Sequence, residues 1–220
     1  IVPWQQVCET TGAHLLILPI NEVGILDLPQ AKILLEKYRP KILALSHASN
    51  ALGNIQPIEE LIQLTKTFNT ISVIDGSQGF LHLRPNLTQI KCDFYVLSAH
   101  KALGPTGLGA FYGRYDLLCR MPVYQTGGEM IQQVTFEKST FALPPGKFEA
   151  GTPHIAGGIC LGTSVGFLNS IDLDGAQKHE AELTKYAEHL LDTFEGLHII
   201  GEAKNKTSVI SFSVDGIHPF

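Results

Sequence analysis

Apolar and polar positions follow two periods through the first half of the chain. Residues 14–20 form an apolar run, Leu28–Tyr38 has helical spacing, residues 41–46 look strand-like, and residues 57–68 are helical again. In the last segment Ile58, Leu61, Ile62, Thr65 and Phe68 share one face behind Pro57, a residue favoured in a first helical turn. Ile71–Asp75 and residues 94–97 are short apolar runs, and residues 107–112 follow. Strands alternating with helices predict an α/β fold with a mainly parallel sheet and flanking helices.

The pattern changes towards the end. Over about residues 175–195, Leu183, Tyr186, Ala187, Leu190, Leu191 and Phe194 recur at helical spacing, and Gly196 is a suitable stop. Strand signals return at Leu197–Ile200 and at 208–214. We therefore expect a large domain over residues 1–169 and the start of a smaller α/β domain over 170–220. The chain opens at Ile1 without an initiator Met and closes at Phe220 directly after a strand-like run, so segments are expected on both sides. No internal repeat is visible.

Composition narrows the function classes. Hydrophobic residues are 44% and charged residues 17%, enough apolar surface to offset chain entropy, which argues against disorder. The net charge is -5 and the lysines and arginines are scattered singly, so the basic patch of a nucleic-acid binder is missing. A small-molecule site is the better expectation. No apolar run reaches the roughly 18–20 residues that span a bilayer, and Cys8, Cys92, Cys119 and Cys160 form no paired metal spacing. Free thiols in a reducing, cytoplasmic setting are expected, without a metal, a membrane or a nucleic acid. Residues 104–109 are glycine-rich, but they follow the nearest lysine and lack a Gly-Lys-Ser/Thr ending, so they are not a nucleotide loop.

The polar residues with chemical potential stand where strands end, and in open α/β sheets that edge is where ligands bind. The strand at 94–97 leads into Ser98-Ala99-His100-Lys101 and a tight Gly/Pro-rich turn, which can aim an amine and two hydrogen-bonding groups at one ligand. A partly desolvated lysine amine near other cations is nucleophilic enough to form an imine with an aldehyde. Taken alone, a lysine followed by glycines is more simply a surface residue beside a turn. Asp75 ends the neighbouring strand, where a carboxylate could pair with a protonated pyridine nitrogen. It could equally initiate a turn before Gly76.

Several stretches together are more specific. Ile1-Val2-Pro3-Trp4-Gln5, Ser46-His47-Ala48-Ser49-Asn50-Ala51-Leu52-Gly53, Asp75-Gly76-Ser77-Gln78, Ser98-Ala99-His100-Lys101, Gly104-Pro105-Thr106-Gly107, Gly127-Gly128-Glu129-Met130-Ile131 and Lys147-Phe148-Glu149-Ala150-Gly151-Thr152-Pro153 run in one order along the chain. In that order the sequence resembles the class V aminotransferase superfamily, within it the SUF-type (group II) cysteine desulfurases and selenocysteine lyases. Ser77 and Ala99 stand where that family usually has Ala and Gly.

The resemblance implies a fold type I enzyme using pyridoxal 5'-phosphate. Lys101 then resembles the lysine that forms the Schiff base and moves the substrate proton, and Asp75 the partner of the pyridinium nitrogen. Asn50 and Gln78 resemble groups around the phenolic oxygen, and Ser98 and His100 phosphate donors, His100 also serving proton transfer or ring stacking. Thr152 resembles a phosphate contact from the second subunit of a homodimer, although Gly151-Thr152-Pro153 is also a plain loop by itself. The implied reaction takes sulfur from L-cysteine, leaving L-alanine, to an enzyme persulfide and on to a sulfur-acceptor protein for iron-sulfur cluster assembly. The family's sulfur-accepting cysteine follows a motif that this sequence does not contain, so none of the four cysteines is assigned that role. Selenocysteine lyase, another class V activity, or a non-catalytic fragment keeping the fold are the alternatives.

Overall fold

A computed structural model describes residues 1–218. The elements in chain order are α1 (Val2–Thr11), α2 (Leu28–Tyr38), β1 (Ile42–Ser46), α3 (Ile58–Thr67), β2 (Ile71–Asp75), α4 (Gly79–Leu83), α5 (Leu87–Ile90) and β3 (Phe94–Ser98). After a short 3-10 turn at Ala99–Ala102 come β4 (Gly109–Gly113), α6 (Tyr115–Arg120), β5 (Ile131–Val134), β6 (Ser139–Phe141), α7 (Ile155–Ser170), α8 (Leu173–Leu191), β7 (Leu197–Ile200) and β8 (Ser211–Val214). Pro219 and Phe220, which close the expected 170–220 unit, lie outside the described residues.

The main sheet has the order β1-β2-β3-β4. The first three strands are parallel and β4 runs antiparallel to β3, so the sheet is mainly parallel as the alternating pattern predicts. Register aligns Ser46 with Asp75 and Asp75 with Val96, which brings the three parallel strands to a common C-terminal edge. Helix α2 starts cleanly because the Asp27 side chain accepts from the Gln30 N–H at its N-terminus. Helix α3 buries Ile58, Leu61, Ile62 and Thr65, four of the positions on its apolar face, against β2. Each of those three aliphatic side chains contributes about 1.5–3 kcal/mol of burial. Ile58 and Ile62 join Ile74, Ile90, Cys92 and Tyr95 in one core, so α3, α5 and the strands share a single packed centre.

Three expectations shift. Residues 14–20 form no strand: apart from an isolated bridge between Ile20 and Leu26, no ladder partner for them exists among the described residues, and Ile17 is 63% exposed. The long helix is α8 at Leu173–Leu191, two residues earlier at its start than the periodicity suggests, because the Asp172 side chain caps it by accepting from the Gly175 N–H. The strand read at 107–112 is β4 at Gly109–Gly113, since the turn after β3 uses residues up to Leu108, whose carbonyl accepts from the Ala99 N–H. β7 and β8 form a separate antiparallel pair, tied to the main body where the Thr207 N–H donates to the Gly53 carbonyl at 2.8 Å. No helix among the described residues is long and apolar enough to cross a membrane.

Candidate active site

The C-terminal edge of β1, β2 and β3 gathers most of the residues that the sequence singles out. Asn50 lies in the turn after β1, Asp75 ends β2 with Gln78 three residues on, and Ser98 ends β3 with His100 and Lys101 in the 3-10 turn that follows. Asn50, Asp75 and His100 are exposed; Gln78, Ser98 and Lys101 are partly buried. That combination leaves polar atoms reachable while the strand ends fix the backbone beneath them.

Backbone hydrogen bonds hold the edge together. The His47 N–H donates to the Asp75 carbonyl at 2.8 Å, and the Gly76 N–H donates to the Val96 carbonyl at 2.8 Å, so the turn after β2 is anchored to both neighbours. The Asp75 carboxylate accepts from the Ser77 N–H at 2.9 Å, which orients it within its own turn. The Ser77 and Ser98 hydroxyl oxygens lie 3.4 Å apart, a direct link between the exits of β2 and β3. After Lys101 the chain turns back sharply: the Gly104 N–H donates to the Ala99 carbonyl at 2.9 Å, and a Cβ at Gly109 would stand 2.5 Å from the Leu97 carbonyl oxygen. This glycine is therefore required by the close approach of β4 to β3. Helix α7 braces the same turn, with the Ser164 hydroxyl donating to the Leu103 carbonyl at 2.9 Å.

Thr152 stands apart from this edge in the loop before α7, beside Glu129, Glu149, Gly151 and Pro153 around an open depression of about 420 Å³. That loop is secured by Lys147, which is 8% exposed and donates from Nζ to the carbonyls of Cys119 (3.0 Å) and Met121 (2.7 Å) at the end of α6. A larger cavity of about 630 Å³ lies between α8 and the segment before β8. Two ion pairs cross its wall, His82 with Glu180 at 3.3 Å and Lys206 with Glu188 at 2.9 Å, and none of the strand-end residues lines it.

Two residues at the edge carry no role in the sequence reading. His47, directly after β1, places Nδ1 3.0 Å from the Tyr95 hydroxyl, and both side chains are buried. Burial lowers the His47 pKa to about 4, so the ring is neutral at physiological pH. Burial first, then the neighbouring Cys92 and Asp75, hold the Tyr95 phenol well above its ordinary range. His47 lies inside a motif stretch, which is a usable signal; Tyr95 reads only as a strand residue. Among the thiols, Cys92 is buried and pushed up to about 11 by burial, which keeps it protonated and inert.

The family profile described as Aminotransferase class-V matches residues 1–220. A probable cysteine desulfurase from Xylella fastidiosa is 40% identical over 218 residues, 99% of this chain and 52% of that relative. A cysteine desulfurase from Synechococcus elongatus is 39% identical over 219 residues, 100% of this chain and 35% of that relative. Among solved structures, a cysteine desulfurase from Escherichia coli superposes with a TM-score of 0.91 at 33% identity, covering 99% of this chain and 54% of that one. The apo cysteine desulfurase from Thermococcus onnurineus gives 0.93 at 32% identity, covering 100% and 55%. The chain thus spans about half the length, or less, of the relatives it matches.

Proposed function

The chain belongs to the class-V aminotransferase family, matched from end to end, and on that premise we propose that its natural protein is a pyridoxal-phosphate-dependent cysteine desulfurase converting L-cysteine to L-alanine. The observation that carries this reading is the set of groups on one sheet edge: a lysine amine, a carboxylate, two amides, a hydroxyl and an imidazole, leaving three adjacent parallel strands. That set suits a phosphorylated pyridine aldehyde. The bound cofactor supplies an aldehyde that condenses with amines and a ring that withdraws electrons from the substrate carbon.

The roles of this chain's residues follow from their chemistry. Lys101 would hold the cofactor aldehyde through Nζ, and its amine would move the proton at the substrate Cα. Asp75 balances the positive charge at the ring nitrogen, and its bond from the Ser77 N–H keeps the carboxylate aimed. Asn50 and Gln78 hold the phenolic oxygen, while Ser98 and His100 hold the phosphate dianion through charge-assisted hydrogen bonds. Ser77, where relatives usually have Ala, adds a second hydroxyl beside Ser98.

The wider reading comprises several linked proposals. Residues 1–169 form the cofactor domain and 170–220 begin a smaller one. Thr152 reaches a phosphate in the second subunit of a homodimer in the cytoplasm. The sulfur-accepting thiol belongs to the portion of the relatives that this chain does not span, and passes sulfur to an acceptor protein for iron-sulfur cluster assembly. The reaction itself is tested by incubating the natural protein with cofactor, L-cysteine and a thiol reductant. L-alanine and sulfide in equal amounts, both lost in Lys101→Ala, are expected; a keto acid formed in place of alanine would contradict desulfuration.

A further inference from the structure

We propose that His47 and Tyr95 are a buried positioning pair that supports the turn from Asp75 to Gly79 and so fixes how Asp75 and Gln78 face the cofactor ring. The inference rests on the cofactor reading above and adds two residues to it. β2 lies between β1, which His47 follows, and β3, which bears Tyr95, yet their side chains meet beneath its exit, Nδ1 3.0 Å from the hydroxyl and the rings edge-on at 87°. The turn rests directly on both rings. A Cβ at Gly76 would stand 1.8 Å from the Tyr95 ring, and one at Gly79 would stand 2.7 Å from His47 Nδ1.

His47 is 5% exposed and Tyr95 1%, so the hydrogen bond between them is shielded from water. Both groups are uncharged at physiological pH, which excludes an ion pair and leaves geometry as the function of the contact. Removing the hydroxyl leaves a buried imidazole nitrogen unpaired, and relief requires either water or movement of the turn that sits on it. Backbone bonds transmit that movement directly, because His47 N–H holds the Asp75 carbonyl while Gly76 N–H holds Val96.

The test compares Tyr95→Phe, His47→Leu and His47→Asn in the full natural protein titrated with pyridoxal 5'-phosphate. Three quantities are read: the cofactor dissociation constant, the pH midpoint of its visible absorbance, and the thermal midpoint of the cofactor-free protein. Tyr95→Phe and His47→Leu are expected to weaken cofactor binding about tenfold and to shift the absorbance midpoint. His47→Asn, whose amide falls where Nδ1 lies, restores both towards the wild-type values. Asp93→Asn, at the opposite end of β3, serves as a destabilised control that keeps the wild-type midpoint. If Tyr95→Phe loses thermal stability while affinity and absorbance midpoint stay at wild-type values, the pair is merely structural and the proposal is overturned. Should His47→Leu fail to fold, Tyr95→Phe decides alone. Failure of the underlying cofactor reading is seen separately, as a Lys101→Ala protein that still takes up a reducible pyridoxyl group.

Discussion

His47 has an ordinary pKa of 6.5 when exposed and about 4 when folded, with burial as the cause. Between those values the unfolded chain binds a proton that the folded chain does not, so stability is full above about pH 6.5 and declines as the pH falls towards 4, by roughly 3 kcal/mol in all. Urea midpoints measured at pH 7 and pH 5 are expected to differ by less in His47→Asn than in the wild type. An equal drop in both would show that other groups govern the acid limb. The same residue shows what a sequence can and cannot reveal at this scale. Asp75 and Lys101 are legible because each ends or follows an apolar strand and sits in a motif of recognisable order. The pairing of His47 with Tyr95 is not, since it depends on a register across β2 and on the missing side chain of Gly76, which leaves room for the Tyr95 ring.

Elements are readable where a clear apolar stripe shows in the sequence. Pro57 and the strip of Ile58, Leu61, Ile62 and Thr65 mark α3, while α2 shows only as helical spacing and its Asp27 cap is seen in the structure. Helix α7 escapes such a reading because Ile155–Ser170 is apolar on all sides and interrupted by Gly157, Gly158, Gly162 and Gly166, giving neither a helical stripe nor a strand alternation. The β5–β6 hairpin is exposed along both strands, and its turn is made locally by the Thr135 hydroxyl accepting from the Glu137 and Lys138 N–H groups. The N-terminal end of the sheet is held by Asp93, 8% exposed, whose carboxylate accepts from the Ser72 N–H (2.8 Å), the Ser72 hydroxyl (3.0 Å) and Arg114 Nη1 (2.7 Å). Arg114 is 53% exposed, so the ion pair itself adds little; the stakes lie in the buried Ser72 donors. Asp93→Ala is expected to destabilise the protein by about 3 kcal/mol by leaving those donors unpaired. A loss no larger than that of a surface substitution, about 0.5 kcal/mol, would show that water replaces the carboxylate.

At the scale of the whole molecule, a mainly parallel sheet lines up three strand ends, and the second pair of strands is fastened to the body through Gly53 and Thr207. Apolar side chains remain open on other faces, Phe136 and Leu143 around the β5–β6 hairpin and Ile155 and Ile159 on α7. The general architecture is legible in the sequence because alternation of strand and helix leaves few arrangements open. The division at residue 170 stays a proposal, since it depends on contacts that no local pattern encodes. The proposed function requires one covalent bond, at Lys101 Nζ. The most direct test is to load the protein with pyridoxal 5'-phosphate, reduce it with borohydride, and map the peptides by mass. A visible absorbance band that bleaches, with the pyridoxyl mass on Lys101 and on no peptide of Lys101→Ala, is the predicted result. A pyridoxyl group on a different lysine, or equal labelling of Lys101→Ala, would contradict it.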